Sequence, residues 1–117
     1  ELILIGSSGG AHLTAITLGR MPGLIDKAIL VGCSCTSGWP DKSSPWESPV
    51  NQIKNIDLNA KIILITGDKD EVTPAIEAET YTRMGKKKGL NVQLHIVKGG
   101  HSILGKKEVK KIIKEAL

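Results

Sequence analysis

The residues that could do chemistry are few and far apart along the chain. Gly6, Ser8 and Gly10 fit the pattern G-x-S-x-G inside "LILIGSSGGAHL", where an aliphatic run empties into serine and glycine. Between a strand and a helix, that pattern is what a nucleophilic serine on a sharp turn requires, since the tight backbone leaves little room for bulk beside it. Ser8 is the candidate nucleophile and Ser7 a spacer. The backbone N–H of Gly9, opening the next helix, is a candidate donor to a developing oxyanion, helped by the helix dipole. A serine hydroxyl is weak alone and needs a base held in turn by an acid. "TGDKDEVTP" offers Asp68 and Asp70, and "KGGHS" offers His101.

Other readings of the same residues stand beside this one. A glycine-rich turn also closes a strand onto a helix, or cradles a phosphate through backbone N–H groups, but neither G-x-G-x-x-G nor G-x-x-x-x-G-K-[ST] is present. His12, four residues after Ser8, is a rival base on the same helical face. In a sharp turn, however, the serine points away from the helix that follows, which makes His12 structural or pocket-lining. His95 lies inside a strand as a surface or packing residue.

The elements that must position these groups are legible in the hydrophobic pattern. Aliphatic runs at Leu2 to Ile5, Ala28 to Val31 and Ile62 to Ile65 are apolar throughout, as strands covered on both faces are. The run Val92 to Val97 alternates, with Gln93 and His95 interposed, and reads as a strand at the sheet margin. Helices are expected at Ala11 to Leu18 and at Pro74 to Met84, the latter opening with Thr73 as cap and Pro74 in the first turn, and ending at Gly85. Val109, Ile112, Ile113, Ala116 and Leu117 recur at helical spacing, leaving five lysines to water. Strand and helix in alternation imply an α/β domain with a mostly parallel sheet and flanking helices. Residues 34–59 break the rhythm; with Trp39, Trp46 and three prolines, they read as a lid or pocket-wall insertion.

The bulk numbers bound the alternatives. With 117 residues and 40% hydrophobic side chains the chain is one domain or part of one, with enough apolar surface for a core. The net charge of +4 comes largely from lysine clusters read as solvated helix faces; aromatics are only 3%, so the interleaved pattern of a nucleic-acid binder is missing. No apolar run has the length of a membrane span. Cys33 and Cys35, one residue apart, read as two thiols, in keeping with a reducing, cytoplasmic setting. The sequence opens on Glu1 directly before a strand, so a preceding segment is expected. Oligomeric state leaves no mark on the sequence.

The order serine, aspartate, histidine, each just past a strand, resembles the α/β-hydrolase superfamily across nearly the whole chain. In that family the acid follows G-x-x-D with a proline four residues on, matched here by Gly67, Asp70 and Pro74. Asp70 is therefore the acid and Asp68, one residue past Gly67, a turn-shaping residue. "SPVNQIKNIDLNAKIILITGDKDEVTP" is also similar to the prolyl-oligopeptidase-like and esterase branches. The resemblance implies a serine hydrolase acting on an ester or amide of a small molecule or peptide. Ser8 would form an acyl-enzyme, His101 would move its proton, Asp70 would hold the imidazole, and no metal or organic cofactor would be needed. It also implies further strands ahead of the nucleophile strand, with a second oxyanion donor among them. The 1–117 stretch is then the C-terminal half of such a domain; were it the entire polypeptide, Leu2 to Ile5 would be an unpaired edge where the family has a buried centre. The competing expectations are an anion-binding α/β module and a catalytically inert fragment.

Overall fold

Every aliphatic run becomes a strand, and every strand but the last leads into a connection that carries the chain back through a helix or helical turn. The computed structural model describes residues 1–38 and 47–117. In chain order they form β1 (Ile3–Ser7), α1 (Gly9–Arg20), β2 (Lys27–Val31), a 3-10 helix (Pro49–Asn55), β3 (Lys61–Gly67), α2 (Ala75–Lys88), β4 (Asn91–Val97) and α3 (Lys107–Ala116). Among the described residues the sheet has four strands, all parallel, in the order β1-β2-β3-β4.

The register sorts the core into two layers. Leu4, Ala28, Ile62 and Val92 lie side by side in one row. With Leu30 and Leu64 they pack under Ala11, Ala15 and Leu18 of α1 and Ala78 and Tyr81 of α2. The alternate row, with Ile29, Val31, Ile63, Ile65 and Val97, is covered by Val109, Ile112, Ile113 and Ala116 of α3. Burying each such side chain is worth about 1.5–3 kcal/mol, so the helical stripe on α3 is held by the sheet rather than by helix propensity. Leu117, expected in that stripe, is exposed. The central strands β2 and β3 are buried almost throughout, and β4 occupies one margin, as its alternation predicts. β1 differs from a strand covered on both faces: it is the opposite margin, and Ile5 is 47% exposed.

Several local expectations are revised. α2 runs through Gly85 to Lys88 and ends on Gly89 in the left-handed conformation. Gly85 is needed for packing, since a Cβ there would approach Val92 Cγ2 to 2.9 Å. Thr73 is not the cap of α2; that position falls to Pro74. Cys33 and Cys35 are joined in a disulfide, where two thiols were expected. Residues i and i+2 of an extended chain point to one side, and the bend after β2 brings these Cα atoms to 5.2 Å, inside the range a bridge spans.

Within 34–59, the 3-10 helix packs on α1, with Gln52 against Gly19 and with Ile53 and Ile56 joining the core. Trp39, Trp46, Pro40 and Pro45 lie outside the described residues. Among the described residues no helix is long and apolar enough to cross a membrane.

Candidate functional site

All three candidate side chains arise just past the C-terminal ends of strands, on the β1–α1, β3–α2 and β4–α3 connections. Ser8 sits at φ 56° and ψ −118°, the one positive φ of a non-glycine residue among those described. Such a conformation costs on the order of 1–3 kcal/mol and persists only when its surroundings hold it. Here the Ser8 N–H donates to the Val31 carbonyl at 2.8 Å, and the Ser8 carbonyl accepts from the His12 N–H at 3.1 Å. Gly6 lets the helix fold back this sharply: a Cβ on it would lie 2.5 Å from the Gly10 carbonyl oxygen. The crowding argument fails for Gly10, where a Cβ would meet nothing within 4 Å. Gly9 is the first residue of α1, so its N–H has no acceptor within the helix.

Asp70 is buried in the β3–α2 connection and accepts hydrogen bonds on both oxygens. Oδ1 takes the N–H groups of Val72 at 2.9 Å and Thr73 at 2.8 Å. Oδ2 takes the Thr73 hydroxyl and His101 Nδ1, each at 2.8 Å. Burial pushes the carboxyl pKa up. The Thr73 N–H, the imidazole, the Thr73 hydroxyl and the Val72 N–H together outweigh it and hold the group below the ordinary carboxylate range. Asp70 is therefore ionised at neutral pH.

That charge fixes the histidine. An ionised carboxylate only accepts, so His101 Nδ1 carries the proton and Nε2 presents its lone pair to the Ser8 hydroxyl, 2.8 Å away. The loop that carries the ring is pinned to the β3–α2 connection: the Gly99 N–H donates to Asp68 Oδ1 at 3.0 Å, and the Lys69 N–H to the Gly99 carbonyl at 2.9 Å. Gly67 allows this approach, because a Cβ there would collide with the carbonyls of Gly99 and Gly100. A cleft of about 320 Å³ opens over the serine, lined by Ser7, Ser8 and residues 101–105.

The structure thus brings Ser8, His101 and Asp70 into one hydrogen-bonded chain and puts the other candidates elsewhere. Asp68 shapes the histidine loop. His12 is buried, its Nδ1–H donating to the Ser34 carbonyl at 2.8 Å. His95 lines a separate, smaller cleft against α3. Among the described residues no three His, Cys, Asp or Glu side chains converge as metal ligands. Sequence reasoning missed Thr73 as a partner of Asp70. The signal was present in "DEVT", because an aspartate commonly binds backbone N–H groups two residues on.

No protein-family model matches the chain, and no curated protein does. Solved structures match over nearly all of it. The acylaminoacyl peptidase of Pyrococcus horikoshii superposes with a TM-score of 0.74 at 22% identity, over 97% of this chain and 22% of that one. An esterase of Pyrococcus furiosus gives 0.84 at 17% identity, over 98% of this chain and 52% of its own. Esterase PE8 gives 0.72 at 27% identity, over 98% and 50%. The chain spans about half of the esterases and a smaller share of the peptidase, and the likeness establishes a common fold.

Proposed function

The chain carries the C-terminal portion of the α/β-hydrolase fold, and from that premise we propose that it is a serine hydrolase acting on ester or amide bonds. The observation that supports this best is the run of hydrogen bonds from a buried, ionised Asp70 through His101 to a strained Ser8. The solved neighbours are named as esterases and a peptidase, which accords with a small-molecule or peptide ester or amide as substrate.

In this mechanism Ser8 Oγ attacks the carbonyl carbon while His101 Nε2 takes the hydroxyl proton. The new imidazolium keeps its Nδ1–H on Asp70, whose charge offsets it. The carbonyl oxygen becomes an oxyanion facing the Gly9 N–H and the positive end of α1. Collapse breaks the bond to the alcohol or amine, which leaves with the proton from Nε2. Water, deprotonated by the same nitrogen, then releases the acid and restores Ser8. The Ser8 turn is in this reading a nucleophile elbow: its strain keeps Oγ out of the helix that follows and aimed into the cleft.

The test is labelling with a fluorophosphonate followed by peptide mapping. A single adduct is expected on Ser8, lost in Ser8→Ala and in His101→Ala. Labelling is followed for hours as well as minutes. A cooperatively folded chain that takes no label at Ser8 overturns the proposal.

A further inference from the structure

We infer that Thr73 is a positioning residue that locks the His101 imidazole through a closed triangle of polar atoms. This rests on the hydrolase reading for its purpose, but not for its geometry. The Thr73 hydroxyl donates to Asp70 Oδ2 at 2.8 Å, and its oxygen lies 3.2 Å from His101 Nδ1. The Nδ1–H is in turn shared between Asp70 Oδ2 at 2.8 Å and that oxygen. Each corner therefore fixes the other two. A carboxylate alone would let the ring swing about a single hydrogen bond; a second acceptor beside the first defines the plane of the ring as well as its direction.

Thr73 is suited to hold still. It is 1% exposed, and its N–H is tied to Asp70 Oδ1 at 2.8 Å. Its β-branched side chain has few χ1 choices, and Pro74 confines its backbone to the extended region. Gly32 also stands against the ring: an added Cβ there would lie 3.1 Å from His101 Cε1 and 3.6 Å from Thr73 Oγ1. The groups placed against the imidazole are thus Asp70 and Thr73 from the β3–α2 connection, Ser8 from the β1–α1 turn and Gly32 from the end of β2. Of these Asp70 carries the charge. Lys106, beyond the histidine loop, is turned to the Lys98 carbonyl.

The triangle predicts a signed effect. Thr73→Val keeps the shape but removes one donor to Asp70 Oδ2 and one acceptor of the Nδ1–H. The donor bond is the shorter and the stronger, so its loss dominates: the carboxylate becomes more basic and holds the imidazolium more tightly. The His101 titration midpoint, read by NMR of the ring nitrogens, is expected to move upward in Thr73→Val. Fluorophosphonate labelling near neutral pH is expected to fall about tenfold. Thr73→Ser, which keeps the hydroxyl, should return both to within twofold of the native protein. Thr73→Ala serves as the second hydroxyl-free variant if Thr73→Val does not fold.

A midpoint unmoved in the folded hydroxyl-free variant overturns the inference, as does labelling that falls equally in Thr73→Ser. The ring titration needs no reactive serine. A native chain that takes no label while Thr73→Val moves the midpoint refutes the hydrolase reading and leaves the triangle standing.

Discussion

Replacing Asp70 by asparagine should invert the His101 tautomer and nearly abolish the reactivity of Ser8 while leaving the fold intact. Two backbone N–H groups, from Val72 and Thr73, point at Oδ1. An asparagine would place its carbonyl oxygen there, because its NH₂ has nothing to offer two donors. The NH₂ then falls where Oδ2 was, facing His101 Nδ1 and the Thr73 hydroxyl. To accept from it, Nδ1 must give up its hydrogen, so the proton moves to Nε2, which now donates toward Ser8 Oγ instead of accepting. A base in that state has no site for the serine proton, and a loss of about 10⁴-fold, or about 5.5 kcal/mol of transition-state stabilisation, is expected. Stability should fall by only about 1–2 kcal/mol, since charge-assisted hydrogen bonds are exchanged for neutral ones rather than lost. The assay is the second-order rate of fluorophosphonate labelling, with thermal unfolding as the check on folding and ring-nitrogen NMR for the tautomer. Labelling slowed by less than tenfold in a folded variant, or a ring that keeps its hydrogen on Nδ1, refutes the reasoning.

Asp70 also makes stability depend on pH in one direction. Its folded pKa lies below its unfolded value, so its contribution is complete above an unfolded pKa of about 3.9 and is lost as pH falls from there through the folded value; urea unfolding at pH 5 and pH 3 should show a larger acid loss in the native chain than in Asp70→Asn. The two glycines flanking Ser8 should behave oppositely. Gly6→Ala drives a methyl into the Gly10 carbonyl and should cost at least about 1–3 kcal/mol. Gly10→Ala, in open space inside α1, should gain up to about 1 kcal/mol in urea titrations. Val109→Ala, at a fully buried position of α3, should lower stability by about 2 kcal/mol and leave the labelling rate of Ser8 unchanged.

What the sequence discloses here is whatever a local pattern can carry. The runs Ala28 to Val31 and Ile62 to Ile65 are apolar on both faces because two layers of helices cover them, and the alternation from Val92 to Val97 marks a margin. Ser8, Asp70 and His101 were legible as candidates because each follows a strand, and a parallel sheet gathers such positions at one edge. The partners that act across the fold were not. Thr73 looked like a helix cap because threonine before Pro-Ala-Ile is a common helix start, yet its hydroxyl is spent on Asp70. Gly85 looked like a stop because glycine often is one, whereas its role is to admit Val92. The Cys33–Cys35 pair was discounted on spacing alone; the bend that closes it is a property of the segment leaving β2. β1 was read as covered on both faces from its composition, which does not say what packs over a strand; Ile5 is 47% exposed.

The three side chains meet across a sequence separation of 93 residues, and the agent of that meeting is the backbone of the sheet more than the side chains themselves. The ladder does not stop where the strands do. The Ser8 N–H donates to the Val31 carbonyl at 2.8 Å, the Gly32 N–H to the Ile65 carbonyl at 2.9 Å, and the Asp68 N–H to the Val97 carbonyl at 2.8 Å. Each turn is thereby hooked to the top of the next strand before its functional residue begins. Ser8 is positioned by β2, and the residues leading to Asp70 by β4, the strand that also delivers His101. A slip of one residue between β3 and β4 would turn β4 over and take Val92 and Val97 out of the separate layers each now packs in, so the apolar core that fixes the register also fixes the distance from carboxylate to imidazole. The hydrogen-bonded chain is in this sense a readout of core packing, and its last link, from Nε2 to Ser8, is the one the strained φ of the serine must complete.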